Sequence, residues 1–134
     1  MAEPTKIPRR STTELDEYAT QLFQLPINIQ FCHHMTTSYG AHKALDQAYD
    51  AMNDLKDSIL EKLMGCMGYR YSKLNIQPVG NYTEAMNKQI AEEISVFSLK
   101  LIKWANEYNY PDVSNLAQEM HGVANQLKYL LTLL

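Results

Sequence analysis

Several things are scarce in this chain, and each scarcity excludes a class. There are only two cysteines, Cys32 and Cys66. A disulfide-stapled scaffold is therefore excluded, and their spacing fits no metal-binding cysteine motif. Both read as reduced, buried small hydrophobes. No apolar run approaches the roughly eighteen residues of a membrane span. The opening residues, MAEPTKIPRR, lack the apolar core of a signal peptide. The expected compartment is accordingly the cytoplasm. With a net charge of -3, the chain has no positive field to hold nucleic acid. Only Lys6, Arg9 and Arg10 lean basic at the start. A DNA-binding role resting on such an arm is the weakest of the readings weighed here. No Gly-rich phosphate loop, nucleophile motif or internal repeat occurs, and no alternation of period two marks a strand.

What the chain does have is helical periodicity. Residues 1–11, with Pro4 and Pro8, read as a mobile tail. Residues 12–134 read as one four-helix domain. The first helix starts near Thr12 or Thr13, where Ser11-Thr12-Thr13-Glu14 offers capping residues with acid in the first turn. It carries an apolar stripe through Leu15, Tyr18, Leu22, Leu25, Ile29 and Cys32 to about Met35. Pro26 is expected to kink it. The second helix runs from about Ala41 to Met64, with Gly65 and Gly68 ending it. A polar stretch up to Gly80 follows, long for a bundle loop, as a crossover would require. The third helix opens at Asn81, with Glu84 at capping-box spacing. The fourth starts near Asp112 or Ser114. Gly122 inside it suggests a close helix contact. Trp104 reads as a core aromatic, with quenching of one-electron leakage as its functional alternative.

The stretch from His42 to Glu61, HKALDQAYDAMNDLKDSILE, carries the chemistry. At about 100° per residue, His42, Asp46, Asp57 and Glu61 share one stripe. An imidazole beside a carboxylate suits a borderline metal such as iron or zinc, and paired carboxylates suit a hard cation. Within one helix the two pairs cannot share an ion, because Asp46 and Glu61 are about 22 Å apart along the axis. A second copy, antiparallel across a two-fold axis, would bring them together at two symmetric sites. The plain alternative is a solvated acidic face. Asp50, Asn53 and Asp54 crowd the same side and favour it. His33 and His34 close the first helix, where histidines commonly serve the helix dipole or packing.

The segment LFQLPINIQFCHHMTTSYGAHKALDQAYDAMNDLKDSILE resembles the ferroxidase region of Dps-like miniferritins. In that family one helix ends in a His-Trp pair. The next carries a His, an Asp four residues on, an Asp eleven later and a Glu four further. His42, Asp46, Asp57 and Glu61 match that spacing, His33 falls at the first His, and His34 takes the Trp place. The chain is also similar to ferritin-like proteins of bacteriophages with a Thr-x-Ser-Tyr-x-x-His-Lys-Ala-Leu pattern. The resemblance implies a ferritin-like four-helix bundle with a long crossover between helices 2 and 3. It implies an iron site between subunits, with metal ligands His33, His42, Asp46, Asp57 and Glu61 and His34 as the alternative ligand. Zinc is a substitute for iron there. It further implies Fe(II) oxidation, iron storage or detoxification, and a homo-oligomer from a two-fold dimer up to a dodecameric cage.

The chain also departs from that pattern. The connection between His33 and His42 is shorter, which could misplace His33 or promote His34. The crossover has no clear equivalent of the miniferritins' short interface helix, and the tail is hardly basic. The alternative left open is a non-catalytic structural or interaction protein that keeps the bundle without the metal chemistry.

Overall fold

The computed structural model describes residues 12–134, so the expected tail over residues 1–11 lies outside the described residues. Four α-helices form a bundle: α1 (Thr12–Met35), α2 (Tyr39–Met67), α3 (Ala85–Glu107) and α4 (Pro111–Leu131). Among the described residues there is no strand, and no helix is long and apolar enough to cross a membrane.

The apolar stripes explain the assembly. On α4, Val113, Ala117, Met120, Ala124, Leu127 and Leu131 are all buried, alternating four and three residues apart. That rhythm keeps one face toward a neighbouring helix. Fully buried side chains come from every helix: Leu22 and Ile29, Leu45 and Met52, Ile94 and Leu101, Met120 and Leu127. Pro26 is buried within α1, and the helix continues through it.

The helix ends have local causes. At the start of α2, the Ala41 amide donates to the Ser38 hydroxyl at 3.2 Å, which satisfies one orphan donor. At its end, Gly68 adopts φ 83°, a left-handed turn that glycine enters without a Cβ penalty. Gly65 does not end the helix; α2 runs past it to Met67. Pro111 opens α4 at its first turn, where its missing N–H has no partner to lose.

The 17-residue connection from Gly68 to Glu84 sets the topology. It climbs back along α1, held by side chains spaced four apart on that helix. Asp16 accepts from the Ser72 amide at 2.8 Å and from its hydroxyl at 3.2 Å. Thr20 accepts from the Asn75 amide at 3.1 Å. Gln24, only 8% exposed, accepts from the Gln77 amide at 2.7 Å and donates to the Gln77 carbonyl at 3.2 Å. The connection thus delivers α3 to the end of the bundle where α1 meets α2. Helices α2 and α3 therefore run parallel on opposite sides of the bundle, and each packs antiparallel against α1 and α4. Tyr110 Oη donates to the Cys66 carbonyl at 3.3 Å, tying the α3–α4 turn to the end of α2.

Two expectations are corrected here. The capping box does not form. Asn81 sits at φ 54° and α3 starts only at Ala85. The Glu84 carboxylate instead reaches back to the α1–α2 turn, accepting from Thr36 Oγ1 at 3.1 Å and from the Thr37 amide at 3.2 Å. Nor does Gly122 mark a close contact: a Cβ added there meets nothing within 4 Å, because it lies on the open face of α4. Cys32 is buried as expected, whereas Cys66 is only half-buried; both thiols are free. Burial pushes both thiols up to about 11, with Glu93 and then Glu84 adding for Cys32 and Asp112 for Cys66.

Two outcomes are expected. Gln24→Ala removes the partner of both Gln77 backbone groups and should lower stability by about 1–3 kcal/mol in urea unfolding. Glu84 carries a pH signature. Desolvation pushes its carboxyl up, but hydrogen bonds from Tyr82, Thr37, Thr36 and Asn87 outweigh it and hold it below the ordinary value. A carboxyl lowered in the folded state stabilises above its unfolded pKa, and that contribution is lost as pH falls through the folded value. Glu84→Gln should therefore be less stable than the parent chain at neutral pH, with the gap closing in acid thermal melts.

Candidate metal half-site at the first helix corner

Three residues, Thr36 to Ser38, separate α1 from α2. So short a turn brings the last turn of α1 against the first turn of α2, and with it His33 against His42. The imidazoles stack with centroids 3.9 Å apart and planes 18° from parallel. Each ring also bonds the backbone of the other residue: His33 Nδ1 lies 2.9 Å from the His42 carbonyl, and His42 Nδ1 lies 2.9 Å from the His33 carbonyl. A carbonyl oxygen only accepts, so each Nδ1 must carry its hydrogen. In the neutral rings, both Nε2 atoms are then left with free lone pairs. This is the arrangement that prepares an imidazole as a metal ligand, with the far nitrogen held by a carbonyl.

Asp46 stands one turn further along α2. Its Oδ1 is 4.0 Å from His33 Nε2, and its side chain is half exposed while that of His33 is largely covered. His34 is exposed, its ring centroid 5.2 Å from that of His33. Tyr39, itself 74% exposed, lies roughly parallel to His42 at 6.3 Å. His33, His42 and Asp46 are therefore gathered at one corner, with His34 beside them.

Asp57 and Glu61 are exposed on the same helix and stay apart from that corner. Asp57 is about 16 Å further along the α2 axis than Asp46. Among the described residues no three histidine, cysteine, aspartate or glutamate side chains are grouped to hold a metal ion.

Trp104 lies at the other end of the bundle. Its ring centroid is 5.6 Å from those of Tyr18, Tyr108 and Tyr110. Tyr18 and His33 are about 22 Å apart along α1. Trp104 is thus a core aromatic, remote from the histidine corner. Its indole N–H is buried without a hydrogen bond of ordinary geometry, and its electrostatic neighbour is the Glu14 carboxyl. That carboxyl is raised from its ordinary value by burial and by Glu17, against the pull of Trp104 and Lys100.

Sequence reasoning gave no sign of the reciprocal hydrogen bonds, nor of the hold that Glu84 has on the turn. Helical spacing places residues within one helix, whereas these contacts cross between helices. The histidine pair should behave as a coupled unit. In a double-mutant cycle of His33→Ala and His42→Ala, the ring stack should give a coupling energy of about 0.5–1.5 kcal/mol in chemical unfolding, while each ring's bond to a backbone carbonyl, which alanine keeps, adds to the single losses. Additive losses would mean the rings do not stack in solution.

No curated protein and no solved structure matches the chain. The profile of a family of unknown function, DUF5856, matches residues 33–131, from the first histidine of the corner to the end of α4, and the chain belongs to that family.

Proposed function

We propose that this chain is a ferritin-like, Dps-like iron-binding protein. His33, His42 and Asp46 of one copy form half of a metal site. Asp57 and Glu61 of a second copy, antiparallel across a two-fold axis, complete it. The observation that carries this reading is the reciprocal bonding of the two imidazoles. It leaves both Nε2 atoms free of hydrogen in the neutral rings, that of His33 4.0 Å from the Asp46 carboxylate, and imidazole with carboxylate suits Fe(II), with Zn(II) as substitute. The topology supports it as well, since one long crossover between parallel second and third helices is the ferritin-like connection.

What the chain's own residues do follows from their chemistry. The carbonyls of His33 and His42 orient the rings and hold the Nδ1 protons, so in the neutral rings the lone pairs sit on Nε2. Asp46, half exposed, adds negative charge at the rim. The partner's carboxylates would supply hard oxygen donors, which favour Fe(III) over Fe(II). Bound iron would supply the redox chemistry of ferroxidation, and storage would follow only where copies enclose a cage.

One observation favours a second reading. The stacked histidines satisfy each other's backbone carbonyls, and among the described residues no three potential ligand side chains are grouped to hold an ion. The corner then serves as a structural clasp in a ferritin-fold interaction protein that has lost the chemistry. Metal content separates the two. After anaerobic dialysis against Fe(II), the parent chain should retain about one or two irons per chain by plasma mass spectrometry, and Asp46→Ala should retain none while keeping its helicity. Iron absent from both would establish the clasp. Iron equal in both would move the site elsewhere.

A further inference from the structure

The histidine corner does not stand on its own turn alone. Thr36 and Thr37 lie between His33 and His42 in the chain, and both are gripped by a residue far along it. The Glu84 carboxylate, at the start of α3, accepts from Thr36 Oγ1 with both oxygens at 3.1 Å. It also accepts from the Thr37 amide at 3.2 Å. The carboxylate is itself oriented. Asn87 Nδ2 donates to its Oε2 at 3.3 Å, and Asn87 Oδ1 accepts from Tyr82 Oη at 3.0 Å. Asn87 is buried, so this support has a fixed base. Thr36 Oγ1 in turn accepts from the Ser38 amide at 3.2 Å, just ahead of the α2 cap. A chain of bonds therefore runs from α3 through Glu84 to the three residues that set how α1 meets α2.

That turn decides whether the imidazoles can reach each other's carbonyls. Each reciprocal bond is 2.9 Å long, and shifting one helix end by 1 Å would carry it beyond hydrogen-bond range. We propose that Glu84 is a positioning residue for the His33–His42 pair: by clamping Thr36 and Thr37 it keeps both rings in the Nδ1–H form with Nε2 free. The proposal deepens the metal reading above and rests on it for its consequence, but the ring geometry can be tested without metal.

The test uses the full chain and two variants, Glu84→Ala and Glu84→Gln. Imidazole nitrogen shifts, read by long-range proton–nitrogen correlation without metal, report the tautomer of each ring. The parent should show Nδ1–H in both His33 and His42. In Glu84→Ala both rings should move toward a mixture of tautomers, while His121, on α4 away from the corner, stays unchanged. Affinity for Co(II), followed by its visible absorption, should fall about tenfold, as for lost supports of metal ligands. Glu84→Gln keeps the shape and one acceptor oxygen, so it should move both readouts the same way by less; it carries the test if Glu84→Ala fails to fold. Parent-like nitrogen shifts in a folded Glu84→Ala, or in Glu84→Gln where the alanine variant does not fold, would overturn the proposal. A parent chain that binds no Co(II) would sink the metal reading instead, and the nitrogen shifts alone would then decide the role of Glu84.

Discussion

Everything in this bundle depends on satisfying the backbone of a long connection that has no helix or sheet to do it. The 17 residues between α2 and α3 must travel the length of α1, and their exposed amides need partners along the way. Asp16, Thr20 and Gln24 provide them from successive turns of one helix face. A four-residue helical step advances about 6 Å, a distance that two or three residues of the connection readily span. Asp16, Thr20 and Gln24 accordingly hold Ser72, Asn75 and Gln77 in turn. With the connection so laid, α3 begins beside the α1–α2 corner, and Glu84 arrives where Thr36 and Thr37 can meet it.

The corner couples fold to chemistry. A three-residue turn forces two histidines into contact, and two stacked imidazoles would be an awkward neighbourhood without hydrogen bonds to fix them. Both rings solve this by bonding backbone, which leaves their outer nitrogens uncommitted. The fold thus creates the donor set as a by-product of closing the turn.

Much of this was legible in the amino-acid sequence. The seven-residue spacing of Leu45, Met52 and Ile59, and of Met120 and Leu127, two helical turns each, identifies helices and their inner faces directly. The length of the polar stretch after Gly68 announces a crossover. The stripe of His42, Asp46, Asp57 and Glu61 follows from helical rotation alone. What could not be read were contacts between segments distant in sequence. Glu84 sits at capping-box spacing from Asn81, and local rules assign it there. The left-handed Asn81 breaks the box and frees the carboxylate for a partner 48 residues earlier. His33 raised the same problem. Its helix position was plain, but its bond to the His42 carbonyl depends on the angle of a turn that no periodicity encodes.

The histidine pair has a local symmetry of its own. Each ring bonds the carbonyl of the residue bearing the other, so exchanging the two leaves the pattern unchanged. Backbone geometry alone gives neither imidazole priority. Asp46 breaks the equivalence by standing 4.0 Å from Nε2 of His33. A single carboxylate therefore makes the two rings inequivalent: the outer nitrogen of His33 faces an acid, and the exchange symmetry of the backbone bonds is broken.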